Sequence, residues 1–522
     1  MPHTRFPWDH CGSTSSLLQP GSAKQAGMMK EPLLQIDAMI EKRIADGIIP
    51  GAVTFVARCG HIVQHEAYGH ACLYEAETRT MGAQPILMKK DTIFDLASIS
   101  KIFTTTAAMR LYEDGFLHLD DPVINYIPEF AGNGKENITI KQLMTHTSGF
   151  TSWVPLYNVA GNREERLGYV FNYPLANAPG STYTYSDLNM IILGAMIEKI
   201  SGRRLDEYIS EKITIPLNMD DTMYHPHASL RHRIAATEYQ QETNRGLIWG
   251  QVHDENAWVL DGVAGHAGVF STANDLAKFA QMMLNDGKYG GKRILTSETI
   301  QLLVDNQVPE FPGNDHGLGW ELSQGWYMDA LSEPSTIGHT GFTGTSLVIN
   351  RNNDTIAILL TNRVHPSRDT VSINPLRREF ARQVAGAIPV RMPAENKGAW
   401  FSGYGDQLNR VLILEATIEN EAMLSYNTWY QIEQDKDCGI IEISSGGDNW
   451  KQVSNKITGN SGDFQSKTIS IPAGTTHIRF RYHTDGAING HGWYVTNIKL
   501  TDIANQSLPF NLVSTEWQKR NH

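Results

Sequence analysis

Ser98 and Lys101 stand three positions apart in Phe94-Asp95-Leu96-Ala97-Ser98-Ile99-Ser100-Lys101, the only Ser-x-x-Lys in the chain. On a helix that spacing puts both side chains on one face, within reach of a shared hydrogen bond. The serine becomes a nucleophile if the lysine can take its proton. Lys101 is the one formal charge between Leu96 and Met109, in a run of apolar and hydroxyl residues that reads as a buried helix ending near Gly115. An unpaired ammonium there is disfavoured by desolvation, so its pKa falls and the neutral amine can act as a base. The start of the helix adds unpaired N–H groups and a positive dipole end, which favour negative charge on Ser98 and on an acyl oxygen. The competing reading is an N-cap serine followed by an incidental lysine.

Other chemistries are poorly represented. There is no Gly-x-Ser-x-Gly elbow and no phosphate loop. His65-Glu66-Ala67-Tyr68-Gly69-His70 imitates a zinc-protease helix, but its second His comes one position late and the stretch reads as a strand. His253, Asp254 and His266 have no metal-ligand spacing, and with the glycines of Gly262–Gly268 they read as loops shaping a cleft. Neither a metal nor an organic cofactor is expected.

The elements that must position Ser98 belong to an α/β or α+β domain over residues 32–388. A helix starts near Pro32, with Leu33, Leu34, Ile36, Ile40 and Ile44 on one face. Val53, Phe55 and Ala57 then alternate up to the Arg58–His61 turn of a hairpin. Further helices are expected near 98–114, 187–200, 274–286 and 376–387. A second hairpin joins Thr345–Ile349 to Thr355–Thr361 across Asn350–Asp354. Residues 1–31, rich in Ser, Gly, Gln and His, read as a disordered leader, and 389–397 as a linker. Beyond it, alternation at Leu412/Leu414, Ile441/Ile443, Ile469/Ile471 and Ile478/Phe480/Tyr482 predicts an all-β sandwich over 398–505, with 506–522 as a tail.

Composition narrows the partners. The 522 residues exceed one core's usual span, and 41% apolar content with eleven tryptophans is globular. The net charge of −12, with no Lys/Arg run, argues against nucleic acid. No stretch approaches the roughly 20 apolar residues of a membrane span. The first 30 residues also lack the apolar core of about 7–15 residues that marks a signal peptide. The chain is therefore either not exported or a processed or engineered form. Cys11, Cys59, Cys72 and Cys438 are too irregularly spaced for a disulfide framework and read as mostly free thiols.

The Ser98 motif, Leu143-Met144-Thr145-His146-Thr147-Ser148-Gly149, Pro179-Gly180-Ser181 running into Tyr185-Ser186-Asp187, and His339-Thr340-Gly341 follow one another at set separations. In these stretches, over about residues 33–388, the chain resembles the serine β-lactamase and penicillin-binding protein superfamily. The likeness is to its class C-like branch of esterases, D-aminopeptidases and cell-wall amidases. The resemblance implies that Tyr185 shares a proton with Lys101 and Ser98. It also implies that the backbone N–H groups of Ser98 and Phe342 form an oxyanion hole. Asp187 stands where the family commonly has Asn, and would raise the lysine's pKa. His339 stands where β-lactamases often have Lys, and as a partly charged group it anchors a carboxylate more weakly. Thr340, Gly341 and Phe342 would line the substrate.

The resemblance thus implies a serine hydrolase with a covalent Ser98 acyl-enzyme, an amidase or peptidase acting on peptidoglycan-derived peptides or amides or another small-molecule, peptide or muropeptide substrate. It also implies a secreted or cell-envelope location, with a cytoplasmic one as the alternative in the absence of a signal peptide. Alternatives are a carboxylesterase on the same scaffold, a β-lactamase, and a sensor that has lost turnover. His253–Ala257 and Gly262–Gly268 resemble a bacterial subgroup tied to peptidoglycan turnover. Gly492-Trp493-Tyr494-Val495-Thr496-Asn497-Ile498 looks like the final strand of jelly-roll modules on secreted enzymes. That resemblance implies glycan or cell-wall contact, with a purely capping sandwich as the alternative.

Overall fold

The computed structural model describes residues 9–76, 80–392 and 398–520. Its centre is an eight-stranded sheet. The strands are β1 (Gln19–Pro20), β2 (Gly51–Arg58), β3 (His61–Tyr74), β4 (Met81–Leu87), β5 (Glu321–Leu322), β6 (Thr336–Gly341), β7 (Thr345–Asn350) and β8 (Thr355–Thr361), in the order β1-β3-β2-β8-β7-β6-β5 with β4 on β3. Only β1 runs parallel to its neighbour. All eight residues of β2 are buried, because both faces of the sheet are covered. Val53, Phe55 and Ala57 enter one core while Ala52 and Val56 enter the other, as period-two geometry requires. Strands β7 and β8 divide in the same way, Leu347 from Val348 and Ile358 from Leu359.

Helices α1 (Lys30–Ala45) and, near the end of the domain, α4 (Asn374–Gly386) cover one face. The other face carries a helical layer around α2 (Ser100–Glu113) and α3 (Asp187–Ser201). Eleven of the fourteen α2 residues are buried, and its threonines satisfy their hydroxyls on carbonyls, Thr104 on Gly265 at 2.8 Å and Thr106 on Ile102 at 2.7 Å. A helix buried nearly all round, its polar side chains bonded internally, can sit only inside a domain.

The C-terminal region is a β-sandwich of a six-stranded and a five-stranded antiparallel sheet. Leu412, Leu414, Leu424, Tyr426, Ile441, Ile478, Phe480, Trp493 and Val495 fill the space between them. Tyr494 points the other way and joins Phe401 and Trp429 in the core beneath α1 and α4. Gln431 Nε2 donates to the Ser332 carbonyl at 2.9 Å, and the Tyr404 hydroxyl to that of Arg382 at 2.9 Å.

Four expectations need correction. The disordered leader is packed from residue 9 onward: Ala26 and Met28 are buried, and β1 extends the sheet. The cause lies in Arg58, a buried guanidinium that donates to the carbonyls of Asp9 (2.6 Å) and Gly27 (2.7 Å), so the segment supplies its acceptors. Residues 1–8 of that call lie outside the described residues. The cysteines are not all free, since Cys11 and Cys59 form a disulfide. In the expected linker, Val390 is buried in the core and only 393–397 lie outside the described residues. The expected tail completes both sandwich sheets: Asn511–Val513 pairs with Asn409–Glu415, Gln518–Arg520 pairs with Ala399–Phe401, and Trp517 is buried. The strand Gly492–Asp502 is consequently internal and not the last.

Candidate active site

The turn before Ser98 is held in an unusual shape. Phe94–Asp95 pairs with Phe270–Ser271, after which Ala97 takes φ +47°, a left-handed conformation costing about 1–2 kcal/mol for a residue with a Cβ. Buried Asp95 enforces it by accepting the N–H groups of Ala97 (2.8 Å) and His253 (2.6 Å). Ser98 follows in a single 3-10 turn, Ala97–Ile99, that leads into α2.

Lys101 Nζ lies 2.8 Å from Ser98 Oγ and 3.2 Å from the His266 carbonyl. It sits 4.8 Å from the centroid of the Tyr185 ring, with the phenol oxygen in hydrogen-bonding reach. The lysine is fully buried but not unpaired, because Asp187 Oδ1 lies 2.8 Å away. This overturns the expected low pKa. Burial does push the ammonium down, but the Asp187 carboxylate and Tyr185 oxygen outweigh it and hold Lys101 above the ordinary lysine range. Burial also raises the Tyr185 hydroxyl, against the opposing pull of Lys101.

Tyr185 and Asp187 are placed by the start of α3. The Asp187 N–H donates to the Ser152 carbonyl (2.9 Å) and the Ser186 hydroxyl to that of Thr151 (2.6 Å). The Ser186 N–H donates to His146 Nδ1 at 3.2 Å, which puts the His146 proton on Nε2. His146 also packs its ring 4.6 Å from that of Tyr185. The Leu143–Gly149 motif therefore positions the tyrosine, a role its sequence did not disclose.

His339, Thr340 and Gly341 close β6, antiparallel to Leu347, Ser346 and Thr345. Phe342 begins the turn that follows and is half exposed. That turn is fastened to the nucleophile's segment: Thr343 Oγ1 donates to the Asp95 carbonyl (2.8 Å) and Thr345 Oγ1 to that of Leu96 (3.2 Å). A Cβ on Gly341 would run into both Thr345 Oγ1 and the Leu96 carbonyl. His339 is not partly charged, as its sequence position suggested. Burial, reinforced by Lys101, lowers it to about 3. Its Nδ1 faces the Thr340 carbonyl at 2.8 Å and so carries the proton, leaving a buried Nε2 lone pair without a partner.

The His253/Asp254/His266 grouping is rearranged. His253 Nε2 pairs with Glu238 at 2.8 Å. His266 Nε2 meets Asp254 Oδ1 at 2.8 Å, and these two join Asp187, with one ligand atom from each within 4.8 Å of the others. The Lys101 ammonium already faces Asp187, so a cation could enter this set only once that proton had left. Asp254 also caps the helix Glu255–Val259, and Asn256 Nδ2 holds the Val154 carbonyl at 2.7 Å, so the segment does shape the surrounding loops. Sequence reasoning missed Glu321 entirely. It lies behind the site, where burial raises its carboxyl to about 7. No sequence signal marks it.

A serine, a lysine and a tyrosine converging between an antiparallel sheet and a helical layer define a serine-hydrolase frame, and the chain belongs to the β-lactamase family, whose model, Beta-lactamase, matches residues 36–382. It is 34% identical over 405 residues to a protein of Escherichia coli O157:H7 named "Putative D-alanyl-D-alanine carboxypeptidase", covering 72% of this chain and 91% of that protein. A protein of the same name from Salmonella typhi is 34% identical over 69% of this chain and 89% of its own length. Among solved structures, EstCE1, "a hydrolase with promiscuous acyltransferase activity", superposes with a TM-score of 0.54 at 22% identity over 68% of this chain and 99% of its own. A penicillin-binding protein homologue from Caulobacter crescentus gives 0.53 at 18% identity over 69% and 98%. These two share the fold.

Proposed function

We propose that the chain cleaves amide bonds in peptidoglycan-derived peptides through a covalent acyl-enzyme on Ser98. The observation that carries this reading is the 2.8 Å contact between Ser98 Oγ and the buried Lys101 Nζ, with Tyr185 and Asp187 closing the cluster. The curated relatives' name, "Putative D-alanyl-D-alanine carboxypeptidase", supports a peptide substrate.

Lys101 and Tyr185 titrate as a unit, and one proton must leave the pair before it can accept another. Ser98 Oγ then attacks the carbonyl carbon and its proton passes to the pair. The oxyanion accepts the N–H groups of Ser98 and Phe342, a role supported by the fastening of the 341–345 turn to Asp95 and Leu96. The C–N bond breaks as the pair returns the proton to the leaving amine. Water then adds to the Ser98 ester, giving up a proton to the same pair; the C–Oγ bond breaks as the pair returns that proton to Ser98, and the acid leaves.

A neutral His339 offers a lone pair and no cation, so it suits a substrate N–H better than a terminal carboxylate. The lack of a cation at His339 also favours carboxylesterase activity as a second reading, since a neutral ester needs no carboxylate anchor. The Cys11–Cys59 disulfide supports an oxidising location, in the envelope or outside the cell. Wall or glycan contact by the sandwich belongs to this reading too. The five-stranded sheet would make it, since the six-stranded sheet packs Phe401, Trp429 and Tyr494 against the hydrolase core.

The test is labelling with a fluorophosphonate or a β-lactam, followed by peptide mass spectrometry. The adduct is expected on Ser98 and absent in Ser98→Ala, which should also lose hydrolysis. An adduct elsewhere, or undiminished turnover in the variant, sinks the reading. Rates on a muropeptide, a D-alanyl dipeptide and a p-nitrophenyl ester separate amidase from esterase.

A further inference from the structure

A second cluster of ionisable groups lies far from Ser98 in sequence, where two loops of the sandwich meet. Glu433 and Asp437 flank the turn between the strands Ala422–Ile432 and Cys438–Ser444, and Asp485 follows the strand His477–His483. One carboxylate oxygen from each lies within 4.8 Å of the other two. Asp437 is fully buried. Its Oδ1 accepts the Asp485 N–H at 2.8 Å, while its Oδ2, like Glu433 Oε2, is buried without a hydrogen-bond partner. Asp485 Oδ1 accepts the Ala487 N–H at 3.0 Å.

What is missing is a positive charge. Among the described residues none of these carboxylates makes an ion pair. Arg382, the cation of the adjoining domain junction, is taken up by Asp329 (2.9 Å) and Asp406 (2.7 Å). Lys436 acts on Glu433 only as a counter-charge at a distance. Asp406 adds further negative charge near Asp437. Gathering three carboxylates around unpartnered buried oxygens is costly unless something positive is bound there.

We propose that Glu433, Asp437 and Asp485 bind a calcium-class divalent cation that clamps the two loops together. The donors are all oxygen, with no imidazole or thiolate to favour zinc. Two oxygens on one calcium, each at about 2.4 Å, can stand at most about 4.8 Å apart, and the three carboxylate oxygens lie within that limit of one another. Magnesium asks for a tighter octahedron and keeps its water, so it fits this set less well. The clamp would bear on the domain junction. Gln431, two residues before Glu433, reaches Ser332 of the hydrolase, and the Gln407 N–H donates to the Asp485 carbonyl at 2.5 Å.

The rival occupant is a proton, since burial pushes Asp437 up to about 7. Calorimetric titration of the full chain, stripped with EDTA, with calcium chloride at pH 7.5 decides between them. One calcium per chain is expected, with a higher Tm. Binding should weaken at least tenfold in Asp437→Asn, which can still accept the Asp485 N–H, while Ser98 labelling by a fluorophosphonate is unchanged. Should that variant not fold, Glu433→Gln is expected to weaken binding in the same way. No calcium binding by the wild type overturns the proposal, as does equal binding by a folded variant. So does a Tm that answers to pH near 7 and not to calcium, which would assign the site to a proton.

Discussion

The Lys101 ammonium lies 2.8 Å from Asp187 Oδ1, so the proposed general base of this hydrolase rests as half of a buried ion pair. Burial without that partner would free the amine; with it, the proton is held.

The rate on any substrate should therefore rise with pH as the Lys101–Tyr185 pair gives up a proton. Asp187→Asn removes the charge that holds Lys101 up and leaves burial to push it down. The rising limb of kcat/KM is expected to move to lower pH by about one unit or more. A limb that stays in place in the variant would show that Asp187 does not control the base.

Gly341→Ala tests the fastening of β6 to the nucleophile's turn. The added methyl meets Thr345 Oγ1 and the backbone of Leu96, so one of the two segments must shift. A stability loss of about 1–3 kcal/mol is expected. The fall in kcat/KM should be larger, on the order of 100-fold, because a shift near 1 Å at the reacting centre costs that much. Activity that tracks stability alone would contradict the assignment.

Glu321 links the site to stability. An unfolded glutamate loses its proton near its ordinary value of 4.5, whereas Glu321 keeps its own up to about 7. The folded state thus binds the extra proton in between, and the group's contribution, full at low pH, is lost as pH rises through 7. Glu321→Gln removes that loss. Its advantage over the wild type, followed by denaturant melts, should grow from pH 5 to pH 8 and approach ~3 kcal/mol. An advantage independent of pH would mean that the carboxyl is ordinary.

The Ser98–Lys101 contact was legible because both residues ride on one helix start, where spacing alone fixes proximity. The two-faced sheet was legible for a similar reason, as Val53, Phe55 and Ala57 declare one face by alternation. Asp187 beside Lys101 could be expected only from the family resemblance and not from local spacing, since its approach depends on how α3 packs against α2. His339 misled in charge because an imidazole with its ordinary value is partly charged near pH 7, and only the tertiary structure buries it. The N-terminal segment misled through composition: its order comes from satisfying Arg58 and from Cys59, both distant in sequence. The Asp254–His266 contact needed two loops to fold together, which no local pattern encodes.

Phe401, Trp429 and Tyr494 share their core with α1 and α4. Severing the chain near residue 392 would strip those two helices of their apolar cover and leave a sticky back to the catalytic half. The hydrolase and its sandwich are in that sense one inheritable unit, and expression of the first without the second should yield aggregate rather than a smaller enzyme.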